Sequence, residues 1–322
     1  MKNGIAVAGT ILVDKINHIN AYPNAGELTK IVQTDLAVGG CVPNVAIDLK
    51  RMDTSLFVKA VGRIGCDEEG EFVIKTLSDN GVDCNAIKKT KEKTSFTDVM
   101  SVVGGERTFF TYAGASASFG LEDFDFDSLR VKMLHLGYFL LLDKIDNGDG
   151  VKILKAAQEK GIKTSIDLVS ENSNRYASIL PCLPYTDNVI INEIEAGKIA
   201  NMQPDLKNLK AIAEKIKSYG VKERVIIHAP KIGVCLSNEG FISVPSYEIP
   251  DGFIKGTTGA GDAFCAGCLR GIYLEQDDET ILKFASAAAV AALSEADAIS
   301  GMRSVAEIEK LCKDFKRRKI CL

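Results

Sequence analysis

Residues 256–264 read Gly256-Thr257-Thr258-Gly259-Ala260-Gly261-Asp262-Ala263-Phe264, and an apolar run follows them directly. Small residues let a backbone approach a ligand closely, and a helix that begins near Gly261 would offer its unpaired N–H groups to an anion. Asp262 would then lie in the first turn of that helix, where it could act as a base. The same residues could equally form only a turn and a helix cap. The stretch therefore predicts either an anion site with a carboxylate beside it or a plain helix start.

The overall composition is typical of a soluble globular protein. The 322 residues, 46% hydrophobic and 25% charged, are enough for one large α/β domain or two smaller ones. The net charge of −4 argues against nucleic acid or an acidic membrane as partner, because such surfaces are bound through an excess of Lys and Arg. The start of the chain lacks the apolar core of a signal peptide, and no apolar run approaches about 18 residues. We therefore expect a cytoplasmic protein with small-molecule partners.

Nine cysteines are scattered along the chain. An odd, scattered set is typical of reduced thiols in a cytosolic protein rather than of a disulfide framework. Cys265 and Cys268 form a C-x-x-C pair, but no second pair and no histidine at ligand spacing accompany it. We interpret this pair as helix packing rather than as a zinc or redox site.

Short apolar runs alternate with amphipathic segments along most of the chain. Buried strands are predicted at 4–9, 56–61, 131–136, 163–167, 187–191 and 224–228. Helices are predicted at 67–79, 150–159, 193–200, 205–218, 278–293 and 304–318. This alternation predicts an α/β fold with a mostly parallel sheet covered on both faces. Residues 27–37 and 95–112 predict short strands outside that sheet, the second pair a hairpin around Gly104-Gly105.

Polar and small residues follow two of the early elements. Asp14 lies just beyond the first strand, where its carboxylate could meet ligand hydroxyls or only face water. Gly39 and Gly40 precede a helix predicted to run to Arg51, and Asn44 lies in its first turn with a donor and an acceptor to offer. The two glycines either permit close approach to a ligand or only form a turn.

Asn192 and Glu195 lie one turn apart where a predicted strand enters a helix. Together they could organise Mg²⁺ and phosphates, or they could only cap the helix. The chain has no G-x-x-x-x-G-K-[ST] motif, and no G-x-G-x-x-G follows the first strand, which excludes a P-loop and a dinucleotide fingerprint. An anion site, a nearby carboxylate and an Asn/Glu pair suit phosphoryl transfer, which depends on positioning, charge neutralisation and one base.

These motifs, in this order, resemble those of the ribokinase-like (PfkB) carbohydrate kinases along nearly the whole chain. Gly39-Gly40 with Asn44 resembles the N-terminal signature of that family, and Asn192-x-x-Glu195 resembles its magnesium motif. The C-terminal signature is matched by residues 256–262.

The resemblance implies an α/β fold with a three-layer, doubly wound, mostly parallel sheet and a small β-sheet lid. It also implies a single kinase domain over 1–322, with a discontinuous lid formed by about 11–37 and 94–114. A homodimer through the lid is implied as well, because an open sheet leaves edges and an apolar face to cover.

The resemblance further implies an ATP-dependent sugar kinase with Mg²⁺ as cofactor, and a role for each motif. Asp262 would be the general base that deprotonates a hydroxyl of a small carbohydrate. The charge of the γ-phosphate would be held by the backbone of Gly259, Ala260 and Gly261. The residues implied to hold the sugar are Asp14, Gly39, Gly40, Asn44 and Arg107. Mg²⁺ and the phosphates would be organised by Asn192 and Glu195, and the ATP site would be lined by His228, Gly233 and Ser286.

The chain departs from the family pattern near the cation and nucleotide sites. Gly256 stands where the family usually has an Asp that helps to bind a monovalent cation, and Asp297 stands where Gly is common. These two residues make potassium activation doubtful. His228 replaces the usual Thr or Lys, and Pro230, which has no N–H to donate, replaces a Gly. His228 could contact phosphate or could only end a strand.

Two other functions stay open. One is a nucleoside kinase of the same fold, for which a base could stack on Phe109, Phe110, Tyr112 or Tyr138, although aromatics at strand spacing are more often core. The other is a non-catalytic sugar or nucleotide sensor, suggested by Gly256 and Pro230. The presence of Asp262 argues against a sensor.

Overall fold

The computed structural model describes residues 2–102 and 107–320. Its strands are β1 (Ile5–Gly9), β2 (Leu12–Ile19), β3 (Ile31–Gly39), β4 (Val58–Gly65), β5 (Asp83–Thr90), β6 (Ser95–Val102), β7 (Arg107–Tyr112), β8 (Met133–Phe139), β9 (Lys163–Leu168), β10 (Asn188–Asn192), β11 (Arg224–Ala229), β12 (Ile232–Ser237) and β13 (Gly240–Pro245). Its α-helices are α1 (Cys41–Met52), α2 (Glu68–Asp79), α3 (Gly114–Ala117), α4 (Phe126–Leu129), α5 (Gly150–Glu159), α6 (Glu193–Ala200), α7 (Leu209–Ser218), α8 (Ala260–Tyr273), α9 (Asp278–Leu293) and α10 (Val305–Cys312). Short 3₁₀ or π segments lie at Leu121–Asp123, Ile145–Asp149, Arg175–Tyr185 and Leu206–Asn208.

Nine of these strands form one large sheet in the order β13-β12-β11-β10-β9-β8-β1-β4-β5. The pairings from β5 across to β11 are parallel, and β12 and β13 are added antiparallel at the other edge. The carboxyl ends of the parallel strands therefore meet along one side of the sheet, which is where α/β folds bind ligands.

Both faces of the large sheet are buried. Along β1, Ile5 and Val7 pack into one hydrophobic core, and Ala6 and Ala8 pack into a second, as the period of two in a strand requires. The first core contains buried residues of α1, α2, α8, α9 and α10, and the second contains those of α5, α6 and α7. The predicted three-layer, mostly parallel α/β architecture is confirmed.

A second, four-stranded sheet has the order β3-β2-β6-β7. β2 runs parallel to β6, and the outer pairs are antiparallel, so the predicted pairing of the two strands in 95–112 is confirmed. The turn at Gly104-Gly105 lies outside the described residues. Large apolar side chains are exposed on this sheet and its loops, among them Leu28 at 90%, Leu36 at 51% and Phe110 at 58%.

Several element boundaries differ from the sequence predictions. The final helix, predicted at 304–318, ends at Cys312, because Lys316 and Arg318 instead exchange backbone hydrogen bonds with Glu248 and Ser246. The basic run therefore does not form the last turn of a helix. The helix predicted from 205 begins at Leu209, after a 3₁₀ turn. None of the helices in 2–102 and 107–320 is long and apolar enough to span a membrane.

Candidate active site

The start of α8 forms the centre of the candidate site. Gly259 precedes the helix with a φ of 78°, and a Cβ there would lie 2.5 Å from the carbonyl oxygen of Ala298, so only glycine fits. α8 begins at Ala260, and Asp262 lies in its first turn. The predicted helix start near Gly261 is therefore confirmed, and backbone N–H groups face the region in front of it.

Asp262 is buried, with only 7% of its surface exposed, and it has two hydrogen-bond donors. Its Oδ2 accepts from the side-chain amide of Asn44 at 2.9 Å and from the hydroxyl of Tyr138 at 3.0 Å. Burial raises the pKa of Asp262 to about 7, the charge of Asp167 adds to this rise, and the two hydrogen bonds oppose it. The carboxyl group is therefore poised to exchange a proton near neutral pH.

Asp14 on β2 and Arg107 on β7 lie on the side of the small sheet that faces the residues before α8. Arg107 donates from Nη1 to the hydroxyl of Thr258 at 2.8 Å, which links β7 to the 256–264 stretch. Burial raises the pKa of Asp14 to about 6, and the charge of Arg107 works in the opposite direction. A Cβ on Gly39 would lie 2.5 Å from Asp14 Oδ2, so this glycine leaves space for the carboxylate. Gly40 caps α1, the helix that carries Asn44.

Two cavities lie on either side of Gly261. The smaller cavity, of about 190 Å³, is polar and is lined by Asp262, Asp167, Ser170, Asn192 and Glu195, among others. The larger cavity, of about 530 Å³, is mainly apolar, and its walls include Ile249, Ile254, Phe264, Ala289 and Leu293. Gly261, Asn192 and His228 line both cavities.

Asn192 and Glu195 form a complete capping box at the start of α6. The Asn192 side chain accepts from the backbone N–H of Glu195 at 2.9 Å, and Glu195 Oε2 accepts from the backbone N–H of Asn192 at 3.0 Å. The hydroxyl of Ser170 donates to Glu195 Oε1 at 2.8 Å. Burial raises the pKa of Glu195 to about 7. The cap is therefore present, and the carboxylate lines the polar cavity as well.

The remaining predicted nucleotide residues lie in different surroundings. Ser286 and Pro230 line the larger cavity. Gly233 does not: a Cβ there would contact Phe264 and Leu282 at 3.4 to 3.5 Å, and its neighbour Ile232 lines the cavity instead. The ring of His228 packs on Phe264 at 4.9 Å between centroids, and burial lowers the pKa of His228 to about 4, which leaves it neutral.

Sequence reasoning missed several residues of this site. Tyr138 was expected only as a stacking aromatic, but its hydroxyl contacts Asp262. Asp167 and Ser170 were not expected at all, although Asp167 lies at the end of a buried strand, where a carboxylate is a signal. Thr258 lies in the C-terminal signature with no predicted role, and its hydroxyl accepts a hydrogen bond from Arg107.

Comparisons with known proteins agree with this geometry. The pfkB family carbohydrate kinase pattern matches residues 4–304. The chain belongs to the pfkB carbohydrate kinase family. It is thus a sugar kinase, a phosphotransferase that uses an alcohol group as acceptor, and the recognition made from its three motifs is confirmed.

Individual sugar kinases are also similar to this chain over most of its length. The chain is 25% identical over 314 residues to a ribokinase of Arabidopsis thaliana, a match that covers 96% of this chain and 81% of that protein. It is 30% identical over 274 residues to a probable chloroplastic fructokinase-6 of the same plant, covering 78% and 68% respectively. The solved structure of Arabidopsis thaliana ribokinase complexed with ribose and ATP matches with a TM-score of 0.83 at 22% identity, over 97% of this chain and 99% of that one. The ribokinase-like fold is therefore confirmed.

Proposed function

We propose that this sugar kinase transfers the γ-phosphate of ATP to a hydroxyl of a small carbohydrate, with Asp262 as general base. The observation that carries the proposal is the position of Asp262, which lies in the first turn of α8 and lines the polar cavity. A carboxyl group with a pKa of about 7 can take the proton of an attacking hydroxyl at neutral pH.

The larger cavity is the proposed ATP site. Its apolar walls suit an adenine ring, and it meets the start of α8 at Ala260 and Gly261. The backbone N–H groups of Gly259, Ala260 and Gly261 would stabilise the charge that develops on the transferred phosphoryl group. Among the residues expected to line this site, Ser286 and His228 line the cavity, whereas Gly233 lies next to Phe264 and Leu282 and does not line it.

Magnesium fits the polar cavity. The side chains that line it carry carboxylate, amide and hydroxyl oxygens, the ligand atoms that Mg²⁺ prefers. Because the oxygens of Glu195 and Asn192 already accept hydrogen bonds, we expect these two residues to hold the hydrated ion through water. When bound, Mg²⁺ neutralises charge on the phosphates. The protein residues then position its water ligands.

The acceptor sugar is proposed to lie in front of Asp262, between the small sheet and α1. On the small-sheet side, Asp14 and Arg107 line a cavity of about 20 Å³ together with Thr258. That volume holds about one water molecule, so we expect the small sheet to move away from Thr258 when a sugar binds. Asn44 is buried, and its Oδ1, which is closed off from solvent, has no hydrogen-bond partner in the described residues, so a sugar hydroxyl that reached it would satisfy this acceptor. Gly39 and Gly40 leave room for the Asp14 carboxylate and the carbonyl oxygen of Thr10, so they support the proposed sugar site by positioning its neighbours.

The nucleoside alternative has one specific observation in its favour. Phe109 lines the small cavity together with Asp14 and Arg107, so its ring would be near a base that entered after the small sheet moved away, since about 20 Å³ holds only a water molecule. By contrast, Tyr138 is committed to Asp262 through its hydroxyl.

Potassium independence is also proposed. A Cβ at Gly256 would lie 2.7 Å from the carbonyl oxygen of Ala296, so the chain leaves no space there for an Asp. Asp297 Oδ1 accepts from the backbone N–H groups of Ile299 and Ser300, at 2.9 and 2.6 Å, within its own loop.

A homodimer through the small sheet is proposed as the assembly. The exposed apolar side chains of β3 and its neighbouring loop would be buried by a second copy of the chain. Light scattering should give the mass of a dimer for the wild type and of a monomer for Leu36→Glu. Lys215→Glu, an exposed change on α7 and not on the small sheet, is the control and should remain dimeric. A monomeric wild type would overturn this assembly.

The test of the activity is a coupled ADP-release assay over hexoses, pentoses, sugar acids, sugar phosphates and nucleosides. We expect one class of sugar to raise ADP release well above background hydrolysis of ATP. Release with nucleosides alone would favour the nucleoside alternative. If no acceptor raises ADP release above background, the kinase proposal is contradicted and the sensor hypothesis is favoured.

A further inference from the structure

Three buried side chains that can bind metals meet beside the polar cavity. His135 on β8, Asp167 on β9 and Cys265 on α8 each offer one ligand atom, and these atoms lie within 4.8 Å of one another. His135 Nε2 is 3.2 Å from Asp167 Oδ2 and 3.6 Å from Cys265 Sγ. Within 2–102 and 107–320, no other group of three such side chains is this close.

The distances fit a tetrahedral metal centre. Zinc binds nitrogen and oxygen at about 2.0–2.2 Å and sulfur at about 2.3 Å. In a tetrahedron, those bond lengths separate nitrogen from oxygen by about 3.3 Å and nitrogen from sulfur by about 3.6 Å. The two separations that involve His135 agree with these values, and Asp167 and Cys265 have their ligand atoms within 4.8 Å of each other.

The ligands are also held in orientation by further hydrogen bonds. His135 Nδ1 is 3.0 Å from the hydroxyl of Ser165, its register partner on β9. Asp167 Oδ1 accepts from the backbone N–H of Tyr138 at 2.5 Å, which leaves Oδ2 directed at the histidine. Metal-binding histidines and carboxylates commonly have such partners on their other atoms. All three ligands lie on two strands and a helix, which are rigid elements.

One coordination position would remain open to the cavity. Asp167 and Cys265 line the polar cavity, so water could supply a fourth ligand from that side. Three protein ligands with an open position are typical of catalytic rather than structural zinc sites. A thiolate and an imidazole favour Zn²⁺ and similar borderline ions over Mg²⁺, which prefers oxygen.

We propose that His135, Asp167 and Cys265 form a site for Zn²⁺ or a similar transition-metal ion, separate from the pair Asn192 and Glu195. The C-x-x-C spacing does not create this site, because Cys268 is not part of the cluster. The competing explanation is a buried histidine that only hydrogen-bonds its neighbours, and it predicts no metal uptake.

Cobalt is the probe, because a cobalt–thiolate bond gives a charge-transfer absorption that magnesium cannot give. The full chain carries Cys66→Ser, which removes the exposed thiol of the described residues, and Cys321→Ser, because Cys321 lies outside them. It is stripped of metals and titrated with Co²⁺ in excess Mg²⁺. We expect one equivalent to bind with a thiolate charge-transfer band and the visible bands of tetrahedral cobalt. Zn²⁺ should abolish these bands at one equivalent.

Cys265→Ala and His135→Gln test the ligands, and Cys268→Ala is the matched control, since Cys268 lies one turn further along α8. The thiolate band should disappear in Cys265→Ala, and cobalt affinity should fall at least about tenfold in His135→Gln. Cys268→Ala and Glu195→Gln should retain the band. Thermal unfolding checks the fold of each variant, and His135→Gln decides if Cys265→Ala does not fold. Absence of the band in the wild type, or undiminished cobalt binding in a folded His135→Gln variant, would overturn the site.

Discussion

The two acidic centres of the candidate site are assembled in different ways. Glu195 and Asn192 lie three positions apart in the sequence, and the side chain of each accepts a hydrogen bond from the backbone N–H of the other. This capping box needs only residues that are neighbours in the sequence. Asp262 takes its two donors from Asn44 and Tyr138, which lie 218 and 124 positions away. Both carboxyl groups have a pKa of about 7, and burial is the largest cause for each. Similar electrostatics can therefore arise from a local motif or from distant elements, and the two cases should respond differently to substitution.

The largest effect is expected for Asp262→Asn. Loss of the general base should lower kcat by about 10²-fold or more, because the amide cannot take the proton of the acceptor hydroxyl. The measurement is ADP release at saturating sugar and MgATP. Asp251→Asn, an exposed change in the loop before the same stretch, is the control and should keep the wild-type rate. An Asp262→Asn enzyme with unchanged kcat would rule out the mechanism.

A smaller effect is expected for Glu195→Gln, which removes the charge of the local pair and leaves its size. We expect the Mg²⁺ concentration for half-maximal activity to rise about tenfold, as for the loss of a group that positions metal-bound water. A titration of activity with Mg²⁺ at fixed ATP measures it. Glu214→Gln, an exposed change on α7, should not alter the Mg²⁺ requirement. If both variants titrate alike, Glu195 only caps its helix.

Tyr138→Phe should change the pH profile rather than remove activity. The Tyr138 hydroxyl stabilises the charged form of Asp262 and so lowers its pKa, which means that its loss should raise that pKa above about 7. Activity that needs the carboxylate then appears at higher pH, and the acidic limb of kcat/KM should move up by about one unit. Tyr219→Phe, in a residue that lines neither cavity, is the control. If the acidic limb stays in place or moves to lower pH, the distant Tyr138 hydroxyl does not lower the pKa of Asp262, and the proposed contrast with the locally paired Glu195 is wrong.

The smallest effect is expected for potassium. Because Gly256 supplies no carboxylate and Asp297 is engaged in its own loop, replacing Na⁺ by K⁺ at constant ionic strength should change kcat by less than about twofold. Steady-state ADP release in the two salts is the measurement. Activation of tenfold or more would contradict the proposal and would require another cation ligand beside the 256–262 stretch.

The sequence by itself determined the α/β class and the three motifs. Both kinds of element have patterns that can be found in neighbouring residues. β1 is a short apolar run that is buried throughout, and α7 has apolar residues at the helical period. The two glycines before α1 and the small residues before α8 also report a local requirement, since backbone conformation and close packing exclude larger residues there. For the same reason the capping box at Asn192 could be anticipated.

Only the tertiary structure decided which side chains meet. Tyr138, Asp167 and Ser170 join the site because the carboxyl ends of parallel strands converge on α8, and no sequence pattern encodes that convergence residue by residue. Likewise, the end of α10 was set by pairing of the following segment with residues 246–248, which overrode local helix propensity. Local patterns are written in neighbouring residues, whereas burial, pKa and long-range hydrogen bonds depend on partners that only folding brings together.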